Sequence, residues 1–142
     1  MVVRLEFTSA FEMLDCVQVV TDHVGRILAL DDDTQHYVGV AIRESVINAI
    51  RHGNRNDASK HVFVEFSTEW RGDAVHLMVR VRDEGAGFDP SEVADPLAPE
   101  NLLKPSGRGI FLIRSFMDDV QLVNAPEGGM EMRMLKRVKS KD

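Results

Sequence analysis

The 142-residue sequence predicts one α+β domain spanning residues 1–142, a two-layer sandwich with helices on one face of a mostly antiparallel mixed sheet. Three observations predict it. Apolar and polar residues alternate in five separate runs, helical spacing fills the stretches between them, and most strand-like neighbours are close enough for antiparallel connections. A chain of this length can bury roughly two thirds of its unfolded surface, so it can form a real core.

The first run is Val3, Leu5 and Phe7, alternating with Arg4, Glu6 and Thr8 as an edge or hairpin strand. Ser9-Ala10-Phe11-Glu12 matches a capping box, and Phe11, Leu14, Val17, Val20, Val24 and Ile27 continue at helical spacing to about Leu28. After Asp31-Asp32-Asp33 a second helix is predicted, capped by Asp33 or Thr34 and with Tyr37, Val40, Ala41, Ile47 and Ile50 as its apolar positions. Gly53-Asn54-Arg55-Asn56 is turn chemistry that stops it. Val62, Val64 and Phe66, then Val75, Leu77, Val79 and Val81, form two alternating runs around Arg71-Gly72-Asp73 and predict a hairpin. Pro90 to Ser106 holds three further prolines and little periodicity, which predicts a long functional loop or lid. Helical spacing returns from Gly109 to Met117 through Ile110, Ile113 and Phe116. Two last strand-like runs, Asp119 to Asn124 and Met130 to Val138, flank Pro126-Glu127-Gly128-Gly129.

Composition narrows the function. The formal net charge of -6 argues against a general affinity for nucleic acid, and the basic stretch Lys136 to Lys141 reads as a solvated end. No apolar run is long enough to cross a bilayer, and the opening residues alternate rather than forming a signal peptide, so the cytoplasm is the expected location. The single cysteine, Cys16, cannot form an internal disulfide and reads as a small helix-packing residue.

Three segments carry chemistry. Glu44, Asn48, Arg51 and His52 recur at helical spacing and share one face of the second helix. A polar stripe of this kind is usually just solvated, but the amide oxygen of Asn48 is a hard ligand suited to Mg²⁺, and Glu44, one turn earlier, could orient or deprotonate an attacking hydroxyl. His52 reads as a structural hydrogen-bonder near the site. Asp83 ends the Val75–Val81 run and precedes Gly85 and Gly87. An aspartate there is often only a turn-former. In a binding site its carboxylate would accept a hydrogen bond from an adenine amino group, where guanine presents a carbonyl, and the glycines would let backbone approach base and ribose. Gly107-Arg108-Gly109, opening the third helix, offers backbone N–H groups and a positive helix end to phosphates. The Walker pattern and the H-R-D and D-F-G elements of ordinary protein kinases are absent from the sequence, so ATP use requires another architecture.

Taken together, the chain resembles the GHKL ATP-binding superfamily of gyrase, chaperone, histidine kinase and mismatch-repair ATPases over nearly its whole length. Glu44-x-x-x-Asn48-Ala49-x-x-His52-Gly53 is similar to its N box, Asp83-x-Gly85-x-Gly87-Phe88 to its first glycine box and Gly107-x-Gly109 to its second. Within it, Asp83 to Pro90 and Gly107 to Asp118 resemble the bacterial anti-sigma factor serine kinases of partner-switching pathways. The resemblance implies sequestration of a sigma factor and ATP-dependent phosphorylation of a serine or threonine on an anti-anti-sigma antagonist. Glu44 would then be the general base, Asn48 the Mg²⁺ ligand, Asp83 the adenine reader, and Gly85, Gly87, Gly107, Arg108 and Gly109 the nucleotide cradle. It also implies a homodimer. One position departs from the pattern: the superfamily often has a threonine opening the last strand, bridging to adenine through water, where this chain has Met130. The missing hydroxyl implies ATP affinity lower by ~1 kcal/mol.

Two other readings follow from the same residues. One is a nucleotide-dependent binding module without catalysis, acting on a sigma factor or response regulator, and Met130 is its support. The other is a detached histidine-kinase catalytic domain, which lacks any acceptor-histidine helix in this sequence.

Overall fold

The structure, a computed structural model, describes residues 1–86 and 108–138. The predicted α+β sandwich is present. The strands β1 (Val2–Thr8), β2 (His61–Arg71), β3 (Ala74–Arg82), β4 (Asp119–Asn124) and β5 (Met130–Val138) form one sheet in the order β1-β2-β3-β5-β4. All of its pairings are antiparallel, so among the described residues no parallel pair makes the sheet mixed. The helices α1 (Leu14–Ile27), α2 (Asp32–Asn48) and α3 (Arg108–Phe116) cover one face, with α2 packed between the other two. None of the described helices is long and apolar enough to cross a membrane.

The period-2 runs give the inner face of the sheet. Val62, Val64 and Phe66 of β2 and Leu77, Val79 and Val81 of β3 are buried against Val17, Val38, Ile42, Val46 and Ile113 of the helices. Burying each such side chain fully stabilises the fold by ~1.5–3 kcal/mol relative to leaving it exposed. The β2–β3 hairpin turns through Gly72-Asp73, between the paired Arg71 and Ala74, with Gly72 at φ 63°. A positive φ at the first turn position is what a two-residue hairpin needs and what glycine allows.

Several local expectations are corrected. Ser9 does not cap the first helix: its N–H donates to Lys60 O at 2.9 Å and its hydroxyl is buried without a partner among the described residues. The chain instead passes Ala10, which has no capping side chain, into a 3₁₀ turn at Phe11–Met13, and the α-helix begins at Leu14. In α2 the cap is Asp31, whose carboxylate accepts the Thr34 N–H at 2.7 Å. Its buried stripe is Val38, Ala41, Ile42, Ser45 and Val46; Tyr37 is exposed and Val40 half-buried, because Tyr37 leans along the surface to stack on Phe116, ring centroids 4.6 Å apart. Cys16 is exposed rather than packed between helices. Lys136 to Val138 belong to β5, so the basic end is partly sheet. The lid segment from Pro90 to Ser106 lies outside the described residues.

Candidate active site

The α-helical part of α2 ends at Asn48, and Ala49–Gly53 form a π-helical turn. The Asn54 N–H closes it on Ala49 O at 2.8 Å and the Asn56 N–H reaches Ile50 O at 2.9 Å, with Arg55 and Asn56 in the left-handed region at φ 51° and 59°. Single-turn π bulges are often found at functional sites. Here the turn sets Gly53 against Asp83, just past the end of β3, rather than letting the helix run on.

A cavity of about 290 Å³ opens between this turn, the end of β3, α3 and the β4–β5 hairpin. Its floor is apolar, from Ala49, Val81, Ile110, Leu122 and Met132, and its polar side carries Asn48, His52, Arg55 and Asp83. An apolar cleft with a few convergent polar groups suits a small ligand with a flat ring and a charged end.

Asp83 sits at 4% exposure just past β3. Its Oδ1 accepts the N–H of Gly85 at 2.8 Å and of Met130 at 3.0 Å, and its own N–H donates to Met130 O at 3.0 Å. Among the described residues no donor reaches Oδ2, so that oxygen is left to accept from a ligand. Three glycines crowd the same point. A Cβ on Gly53 would lie 1.9 Å from Asp83 Oδ2, one on Gly85 2.0 Å from Gly53 O, and one on Gly129 2.0 Å from Asp83 O. Gly129 also has φ 83°, so both space and backbone conformation require glycine there.

At the other end, α2 presents Glu44 and Asn48 to the start of α3. A Cβ on Gly109 would lie 2.9 Å from Glu44 Oε2 and 3.6 Å from both amide atoms of Asn48. The Asn48 Nδ2 is buried without a partner among the described residues. Nitrogen and oxygen of a carboxamide exchange places by a half-turn, so this side chain can offer either a donor or a hard oxygen to a ligand. An orphaned buried amide costs ~1–3 kcal/mol, a cost that a bound group would remove. The start of α3 lies beside it at Gly109, and the first N–H groups of a helix have no intrahelical acceptors, which suits an anion.

The structure thus brings Glu44, Asn48 and Gly109 together at one end and Asp83 and Gly85 at the other. Arg108 opens α3; Gly87 and Gly107 lie outside the described residues. Arg51 leaves the predicted stripe: its guanidinium lies over the Phe11 ring, 5.6 Å from the centroid, and does not line the cavity. Sequence reasoning missed Asn54, Arg55 and Gly129 as parts of the site. Asn54 and Gly129 look like ordinary turn residues locally, and only contacts with the distant strand end Asp83–Gly85 set them apart.

Residues 8–136 match the family model of the histidine kinase-like ATPase domain. The chain is similar to the anti-sigma F factor of Oceanobacillus iheyensis, 36% identical over 105 residues that make 71% of this chain and 68% of that protein. It is 37% identical to the anti-sigma F factor of Bacillus subtilis over the same shares of both chains. The serine-protein kinase RsbW of Staphylococcus epidermidis is 29% identical over 106 residues, 70% of this chain and 64% of that protein.

Proposed function

Because the chain belongs to the histidine kinase-like ATPase family, we propose that it is an anti-sigma factor and ATP-dependent protein serine/threonine kinase, phosphorylating an anti-anti-sigma antagonist in a partner switch. The names of its relatives, anti-sigma F factor and serine-protein kinase RsbW, support this reading. The single observation that carries it is the cavity itself, lined by both Asp83 and Asn48, with Glu44 and Asn48 close to Gly109 at the start of α3.

Each residue has a task in phosphoryl transfer, which is mostly positioning and charge neutralisation. Asp83 Oδ2 accepts from the adenine amino group and so fixes the base. The N–H groups at the start of α3 face the phosphates. The Asn48 amide oxygen would hold Mg²⁺, which when bound would neutralise charge on the transferring phosphoryl group. The Glu44 carboxylate takes the proton of the acceptor serine or threonine hydroxyl and orients its oxygen for attack. His52, exposed at the cavity wall, supports the site without touching the reacting atoms. We also take the working unit, a single domain over 1–142, to be a homodimer whose surfaces sigma factor and antagonist compete for.

The test is phosphotransfer from γ-labelled Mg-ATP to candidate antagonist proteins from the same genome, with Glu44→Ala beside the wild type. Label on a serine or threonine, lost in Glu44→Ala while nucleotide still binds, is the expected result. Tight ATP binding with no labelled candidate would instead favour a nucleotide-dependent binding module.

A further inference from the structure

Asn54 is a buried polar side chain bonded to the residue next to Asp83, yet absent from the cavity wall. It is 0% exposed. Its Nδ2 donates to His61 O at 3.0 Å, at the start of β2, and its Oδ1 accepts the Glu84 N–H at 2.8 Å. The carboxamide therefore ties three elements at one point: the end of the π turn, the first residue of β2 and the residue directly after Asp83. A fully buried amide with both ends bonded fixes geometry in a way that an apolar residue of the same size cannot.

We infer that Asn54 is a positioning residue for base recognition: it sets the orientation of the Asp83 carboxylate by holding the Glu84 N–H. This rests on the nucleotide reading above. Glu84 is the hinge between the two partners of one hydrogen bond, Asp83 Oδ1 and the Gly85 N–H, so its backbone orientation decides whether that bond forms. Gly53 O, one residue before Asn54, occupies the space a Gly85 Cβ would need. Asn54 thereby holds the glycine pair Gly53 and Gly85 in contact, and with them the direction of Asp83 Oδ2. A second clasp lies nearby, the Glu84 carboxylate accepting the His61 N–H at 2.6 Å, but it is solvent-exposed and acts on the side chain rather than the backbone of residue 84.

The experiment compares dissociation constants for ATP, GTP and inorganic tripolyphosphate on wild type, Asn54→Ala and Glu84→Ala, each checked for a cooperative thermal transition. Loss of one well-placed hydrogen bond is expected to lower the ATP-over-GTP preference of Asn54→Ala about tenfold and to change tripolyphosphate affinity less than twofold. Glu84→Ala, which keeps the backbone N–H bonded to Asn54, retains the wild-type preference. An Asn54→Ala protein that folds and keeps the full preference overturns the inference while leaving the nucleotide reading intact. A wild type that binds no ATP overturns both. Should Asn54→Ala not fold, amide exchange on the wild type decides: slow exchange of the Glu84 N–H without nucleotide supports the clamp, and exchange at the rate of an unstructured chain overturns it.

Discussion

Gly53→Ala puts the geometry of the carboxylate end to a quantitative test. Gly53 ends the π turn with a φ outside the left-handed region, so an alanine meets no backbone strain. Its Cβ, however, would stand 1.9 Å from Asp83 Oδ2, 2.3 Å from Cγ and 2.8 Å from Cβ. The carboxylate cannot simply swing away, because Oδ1 is held by the Gly85 and Met130 N–H groups. The protein must either absorb the overlap, at ~1–3 kcal/mol, or release hydrogen bonds to a charged acceptor, each worth ~1.5–3 kcal/mol. A loss of about 2 kcal/mol moves a urea midpoint by about 1 M at a slope of ~2 kcal/mol/M. Because either response displaces Asp83 Oδ2, ATP affinity falls about tenfold or more in titration calorimetry, the equivalent of one hydrogen bond at the upper end of its usual range. Gly72→Ala is the comparison: with φ 63° and nothing within 4 Å of its Cβ, it strains a distant turn and leaves ATP affinity unchanged. A Gly53→Ala protein with wild-type urea midpoint and wild-type ATP affinity would refute the reasoning.

Asn48→Ala is expected to keep or slightly raise stability without nucleotide, since it removes a buried amide nitrogen that has no partner among the described residues, yet to abolish Mg²⁺-dependent ATP binding; urea melts with and without Mg-ATP separate the two. Gly109→Ala places a methyl 2.9 Å from the flexible end of Glu44, so the fold should survive while kcat for phosphotransfer falls about tenfold or more, and an unchanged kcat would remove Glu44 from the reacting geometry. The Asp57 carboxyl is held below the usual carboxylate range, first by the Ser59 hydroxyl and then by the Ser59 N–H. A depressed pKa means that the Asp57–Ser59 contact stabilises the fold above the ordinary aspartate value of 3.8 and is lost as pH falls through the native value. In Ser59→Ala the Asp57 titration, followed by NMR, should move up toward that ordinary value.

How much of this was readable in the chain depends on the range of the interaction. Strands announce themselves by alternation, and every one from Val2–Thr8 to Met130–Val138 is where the pattern puts it. Glu44 and Asn48 are legible because their four-residue spacing places them on one side of a helix, and Asp83 because it ends a strand before glycines. Helix α1 starts later than its capping pattern suggests, because pairing of Ser9 with Lys60 outcompetes the local cap. Tyr37 is misread as core because its surface stacking partner, Phe116, is distant in sequence. Asn54 and Gly129 were invisible as site residues for the same reason: what each touches is remote along the chain, and their own neighbourhoods spell only a turn.

The strand order β1-β2-β3-β5-β4 carries a consequence for how the molecule comes together. Strand β5 reaches its place beside β3 only after the chain has run through α3 and β4, so this ladder joins an early-sequence piece to a late one. Its register runs from Val75 opposite Val138 to Arg82 opposite Glu131, and just beyond it the Asp83 N–H donates to Met130 O while the Met130 N–H donates to the Asp83 carboxylate. Closing a long loop costs entropy, and the β3–β5 pairing offsets that cost only once the two strands meet. The zipping of the sheet and the setting of Asp83 are therefore one kinetic event. A nascent or partly melted chain cannot present the carboxylate correctly, and a peptide of residues 108–138 added to a 1–86 fragment would have to restore both at once.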